Sequence, residues 1–204
     1  MTEQATRILV SNEMKLSRDF YLRDDVAGIS RELLGKIVCT RIEGKLTKAI
    51  ITETEAYAGV TDKASHAYGD RRTRRTEPMY AQGGHAYVYL CYGIHHLFNV
   101  VTNIEGVPHA VLIRAGRPLQ GVDVMLRRRG KERQDETLLG GPGSLSKALG
   151  ITTALTGVSL AGPTIWIEDR VMRIDDADIT VGPRIGIDYA EEDAQRPYRF
   201  VARI

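Results

Sequence analysis

The sequence predicts a single α+β domain of mostly antiparallel strands with helices at the side. Three observations lead there. The chain has 204 residues, 43% hydrophobic and 26% charged, an ordinary globular balance in a length that buries its own core. Several segments alternate apolar and polar residues and are separated by short turns, as antiparallel neighbours are. A few others carry helical spacing. No repeat, low-complexity stretch or linker interrupts the chain, so residues 1–204 are expected to form one domain, with 1–16 as a flexible N-terminal segment.

Ser17 is a candidate helix cap, and from Asp25 the stretch "DVAGISRELLG" spaces Val26, Ile29 and Leu33 along one helical face that ends at Gly35. "KIVCTRI" is a strand, Glu43-Gly44 a turn and "LTKAIITETEAYA" a longer strand, together resembling a hairpin. Residues 59–84 are rich in Gly, Thr and Arg with little periodicity, which predicts a long functional loop with a helical turn or two. "HAYVYLCYG" and "HHLFNVVTN" alternate as strands, Glu105-Gly106 turns, and "HAVLIRAGRPL" is a third. "QGVDVMLRRRGK" reads as a helix, "GPGSLSKALGI" as a turn opening a helix, and "SLAGPTIWIED" and "DITVGPRIGI" as further strands.

A net charge of +2 and a pI near 8.5 do not by themselves mark a nucleic-acid binder. The distribution is more informative: "DRRTRR" (Asp70–Arg75) and "LRRRGK" (Leu126–Lys131) are basic, whereas Asp175, Asp176, Asp178, Asp188, Glu191, Glu192 and Asp193 gather late. One positive face is implied, with a solvated Arg-rich surface as the plain alternative. Cys39 and Cys91 match neither a disulfide framework nor a clustered metal site. The N-terminus has no signal-peptide core, and no apolar run approaches a bilayer span. A reducing, intracellular, cytoplasmic setting is the expectation.

Three groups of residues could carry chemistry. On a strand, Glu53, Glu55 and Tyr57 share one face, and two carboxylates so close cannot both be buried and charged without a cation. Glycosidases use such a pair, yet an exposed strand shows the same pattern. Tyr87 and Tyr89 share a strand face and Tyr92 stands before Gly93, near the basic runs. Such aromatics suit base stacking or plain strand packing. His66, His85, His95, His96 and His109 form no metal-binding signature. Dinucleotide, P-loop and nucleophile-elbow motifs are absent from the sequence.

The ordered set "ETEAY", "SHAYGDRRT", "AYVYLCYGIHHLFNVV", "AVLIRAGRPLQG" and "GPGSLSKALGI" resembles the alkyladenine (3-methyladenine) DNA glycosylase family, with similarity from "SRDFYLRDD" to "RPYRFV". The resemblance implies a compact α+β fold around a curved antiparallel sheet, with no metal or organic cofactor. It implies a monofunctional enzyme that hydrolyses the N-glycosidic bond of alkylated purines flipped out of duplex DNA, and leaves open whether deaminated purines are released as well. It casts Glu55 as the base that orients water, with Arg114 holding that water or carboxylate. Tyr57, His66 and Tyr89 are cast as the base pocket, Asn99 as its gate and Tyr92 as the finger inserted into the duplex. Arg71, Arg72, Arg74, Arg75 and Lys147 are the expected backbone contacts, and Glu53 is left structural. Duplex DNA is the implied partner, with no membrane and no obligate protein partner.

The sequence departs from the family pattern at Ser144, where a basic residue is usual, at "TRRT" in place of Thr-Pro-Arg-Asn, and after Ile204, where relatives run on. Two rivals remain. A non-catalytic module for damaged or single-stranded nucleic acid keeps the Tyr and Arg residues but leaves Glu55 and Arg114 idle. An O-glycosidase needs Glu53 and Glu55 equally. A bifunctional lyase lacks a Lys at a recognised pocket position.

Overall fold

The computed structural model describes residues 15–169 and 174–204; the expected flexible segment 1–16 lies outside them except for Lys15 and Leu16. Two short helices come first, α1 (Arg18–Tyr21) and α2 (Val26–Glu32). Asp25 caps α2 by accepting the Gly28 amide at 2.8 Å, which satisfies a donor that the first turn leaves unpaired. β1 (Ile37–Ile42) and β2 (Lys45–Tyr57) form the expected hairpin. Residues 59–84 carry three short 3₁₀ turns and no longer element. Then come β3 (Ala86–Cys91), β4 (His95–Thr102), β5 (His109–Gln120), α3 (Val122–Arg129), α4 (Pro142–Leu149), β6 (Ile165–Glu168), β7 (Ile179–Gly182) and β8 (Arg199–Ala202).

The strands form one antiparallel sheet in the order β3-β4-β5-β2-β1-β6, with β8 between β2 and β7. β2 organises it. Lys45–Ile50 pair with β1, Glu53–Glu55 pair with β8, and the opposite edge pairs with β5. Register shifts in the β2–β5 pairing flank Glu53. Such bulges bend and twist a strand and re-aim its side chains.

Alternation then divides the two faces. Ala56, Val88, Phe98, Val100, Val111 and Ile113 belong to the main core, which α2, α3 and α4 cover with Ile29, Met125, Leu145 and Leu149. Tyr87, Val101 and Ala110 face the other way, under Ala67, Met79 and Tyr80 of the long loop. The second face is therefore roofed by a loop and not by a helix.

Two strand expectations are shortened. "SLAGPTIWIED" is strand only at Ile165–Glu168, and "DITVGPRIGI" only at Ile179–Gly182, because Pro163 and Pro183 cannot donate to a ladder. After Pro183 the chain turns back over the second face. β8 and the 3₁₀ segment Asp188–Gln195 had no expectation; four residues are too few to display a period. Among the described residues, no helix is long and apolar enough to cross a membrane.

Candidate active site

A cavity of about 570 Å³ opens on the loop-roofed face. Tyr57, His66, Tyr89, Asn99, Arg114 and Ile185 line it. The structure thus brings together five of the residues expected to act on a base or water, and adds Ile185.

Glu55 stands one layer behind that wall, with its side chain 0% exposed. Its partners line the cavity. The Tyr57 hydroxyl donates to Oε2 at 2.9 Å, the Ile185 amide to Oε1 at 2.8 Å, and the Arg114 guanidinium lies 3.3 Å from Oε1. Burial raises the Glu55 carboxyl above its ordinary range, while Arg114, the Ile185 amide and the Tyr57 hydroxyl pull it back. Burial also pushes the Tyr57 hydroxyl up, so Tyr57 stays a donor. The result is one buried carboxyl group with Arg114 as its contacting cation.

Glu53 does different work. Its Oε1 accepts from Arg114 Nε at 2.9 Å and from Arg199 Nε at 2.6 Å. It therefore steers Arg114 toward Glu55 and joins β8 to the site. A symmetric pair flanking a scissile bond is not what this geometry offers.

The aromatic wall is equally ordered. Tyr87 and Tyr89 lie two apart on β3, with ring centroids 5.7 Å apart. His66 arrives from the loop, edge-on to Tyr89 at 4.6 Å, with Nδ1 2.9 Å from the Tyr87 hydroxyl. Burial, then the Arg75 and Arg71 cations, lower the His66 pKa to about 4, so its ring is neutral at neutral pH. Asn99 donates to the carbonyls of Tyr87 (3.2 Å) and Leu97 (3.3 Å), which fixes its amide at the cavity floor. Among the described residues, no cluster of three or more His, Cys, Asp or Glu could hold a metal ion.

Tyr92 is 90% exposed at the tip of the β3–β4 hairpin. Its φ of 51° and the 72° of Gly93 are left-handed, a conformation costly for a bulky residue and free for glycine. Next to the hairpin tip, a Cβ on Gly143 in the first turn of α4 would stand 2.9 Å from the His95 ring, so α4 needs glycine there to lie against the start of β4. Lys147 lines a separate hollow with His95, His96 and Arg129, and not the cavity of Tyr57 and Tyr89.

The basic run splits. Arg71 and Arg74 are exposed. Arg72 is forked on Glu77 at 2.9 and 3.0 Å and lies over the Tyr80 ring. Arg75 reaches the cavity, 5.1 Å from the Tyr89 ring and 3.2 Å from His66 Nε2. Changing Arg72 and Arg74 together to Ala is expected to flatten the salt dependence of duplex binding by about one phosphate contact, two at most. Anisotropy titrations across ionic strength check this; an unchanged slope would leave these arginines as solvated surface.

Comparison with known proteins extends the picture. The methylpurine-DNA glycosylase family profile matches residues 19–203. A protein of Chlamydia felis named "Putative 3-methyladenine DNA glycosylase" is 50% identical over 190 residues, covering 93% of this chain and 96% of its own. Proteins of the same name from Desulfitobacterium hafniense and Bacillus cytotoxicus are 44% and 45% identical, covering 91% and 92% of this chain and 94% and 95% of theirs.

Proposed function

Because the chain belongs to the methylpurine-DNA glycosylase family, we propose that it hydrolyses the N-glycosidic bond of alkylated purines flipped out of duplex DNA, using water activated by Glu55. At the coarser level it is a monofunctional 3-methyladenine DNA glycosylase that acts on DNA with damaged bases. The observation that carries the finer reading is the buried Glu55 carboxylate, tied to Arg114, Tyr57 and Ile185 on the wall of an aromatic cavity.

The chemistry suits such a cavity. A purine alkylated at N3 or N7 is cationic, so the C1′–N bond breaks with its electron pair going to the base, which leaves neutral. Water adds at C1′, and Glu55 takes its proton. The anionic carboxylate also stabilises the developing positive sugar, and Arg114 holds the carboxylate in place. That Glu55 sits behind the wall is compatible with this role, since catalytic contacts often tighten only when substrate is bound. Tyr57, Tyr89 and neutral His66 offer stacking faces and edges to an electron-poor base, with Asn99 beneath. Deaminated purines are uncharged before cleavage and would leave as anions unless a proton is supplied to the base, so their release is expected to be slower. Tyr92 fills the gap in the duplex, and the exposed arginines meet phosphates. The reading places the enzyme inside the cell with its DNA.

The test is base release from duplexes carrying 3-methyladenine, 7-methylguanine, hypoxanthine or normal purines. Release of the alkylated bases, with the strand left uncut, is expected. Tight binding without release would contradict the reading and favour a recognition module.

A further inference from the structure

Asp62 and Arg184 take no part in the reaction as drawn, yet both side chains are 0% exposed. Desolvating two charges costs more than their attraction often returns, so the contacts the pair makes are informative. Asp62 accepts both Arg184 terminal nitrogens, at 2.5 and 2.8 Å, together with the amides of Ala58 (2.9 Å) and Ala64 (3.1 Å). Arg184 also donates to the carbonyls of Ala56 (2.8 Å) and Asp193 (3.2 Å). Its guanidinium lies 4.8 Å from the Tyr57 ring centroid. The next residue, Ile185, gives its amide to Glu55.

From this geometry we infer that Arg184, held by Asp62, is a positioning residue for the reaction, setting the Ile185 amide and the Tyr57 ring against Glu55. The inference rests on the reading of Glu55 as the water-activating carboxylate. Ala56, whose carbonyl Arg184 grips, lies between Glu55 and Tyr57 on β2. The guanidinium therefore ties that stretch of strand to the segment after β7 in one contact set. Two of the donors to Glu55, the Ile185 amide and the Tyr57 hydroxyl, depend on it; Arg114 is held independently by Glu53. Asp62 simultaneously fixes the start of the loop that delivers His66.

The charged and titratable groups around Glu55 are Arg114 from β5, Glu53 and Tyr57 from β2, and Arg184 after β7. Arg199 of β8 acts on Glu53. Loosening Arg184 removes donors from the carboxylate while Glu53 and Arg114 stay. The Glu55 carboxyl should then titrate higher than in the wild type.

Two full-length variants test this. Arg184→Lys keeps the charge but loses the fork, and Asp62→Leu with Arg184→Met removes both charges and leaves neither uncompensated. Each is melted and bound to lesion duplex, then assayed for single-turnover release across pH. The Glu55 carboxyl is followed by ¹³C NMR of glutamate-labelled protein. In a folded variant, release at neutral pH is expected to fall about tenfold or more, since small misplacements near reacting atoms are that costly. Duplex affinity should hold within about threefold, and the acid limb and the Glu55 signal should move up together. A folded variant with wild-type rate, acid limb and Glu55 titration would overturn the inference. So would failure of both variants to fold, which would make the pair a brace of the fold and not of the site. The NMR arm separates the two readings: a shifted Glu55 in an enzyme whose wild type releases no base would sink the glycosylase reading and leave the positioning intact.

Discussion

Glu55→Gln is expected to lose about a thousandfold or more of single-turnover base release while binding lesion duplex nearly as the wild type does. The amide has the shape of the carboxylate but cannot take a proton from water or stabilise a cationic sugar. Its surroundings tolerate the exchange, because Arg114 keeps Glu53 as a partner at 2.9 Å. Glu53→Gln should be milder, about tenfold, since an amide oxygen still accepts from Arg114 or Arg199 and only the steering weakens. Single-turnover rates and anisotropy titrations of the two variants, compared with thermal melts, check the pair. Equal losses from both would restore a two-carboxylate mechanism.

Why the two acids stand in such different surroundings was only half legible in the sequence. The period-two spacing placed Glu53, Glu55 and Tyr57 toward one side, but the bulges around Glu53 leave no trace in a pattern of residue types. The alternation of β3, β4 and β5 was plain and set Tyr87 and Tyr89 on one face, whereas Asn99 and Arg114 were pointed to only by the family resemblance. Ile185 was missed because it contributes a backbone amide, which no side chain advertises. Arg184 and Asp62 are 122 residues apart, so only the folded chain shows that their charges meet. Arg72 looked like a free cation beside three others; its fork on Glu77, five residues on, depends on the 3₁₀ turn between Glu77 and Tyr80. Tyr87 was visible as a strand partner of Tyr89, while its hydroxyl contact to His66 required the long loop to be folded.

Tyr92→Ala should carry the second large loss, a slowing of excision from fully paired duplex by about a hundredfold, because holding a base out of the stack costs a few kcal/mol. The ring touches little of the protein: it is 90% exposed and held out by a left-handed turn. The left-handed pair Tyr92-Gly93 is the ordinary geometry of a two-residue hairpin turn and leaves the ring projecting from the tip. Stability should therefore change by no more than about 0.5 kcal/mol. The loss should shrink where the lesion is mispaired, since less stacking is given up there. Single-turnover excision on paired and mismatched lesions, with a melt alongside, reads both effects. A large drop in melting temperature would make Tyr92 a core residue, and equal slowing on both duplexes would assign it to the pocket.

If a buried, ionised Glu55 drives the hydrolysis, the rate must follow its protonation. Burial raises its carboxyl, and the base form exists only above its pKa. Activity should therefore be full at high pH and fall as pH drops through a limb above the ordinary glutamate value of about 4.3. The direct measurement is single-turnover release of 3-methyladenine from duplex DNA across pH by wild type and Glu55→Gln, corrected for uncatalysed depurination. The expected result is a rate falling about tenfold per pH unit below that limb in the wild type, and a small residual rate without the limb in Glu55→Gln. The same limb surviving in Glu55→Gln, or its absence from the wild type, would contradict it.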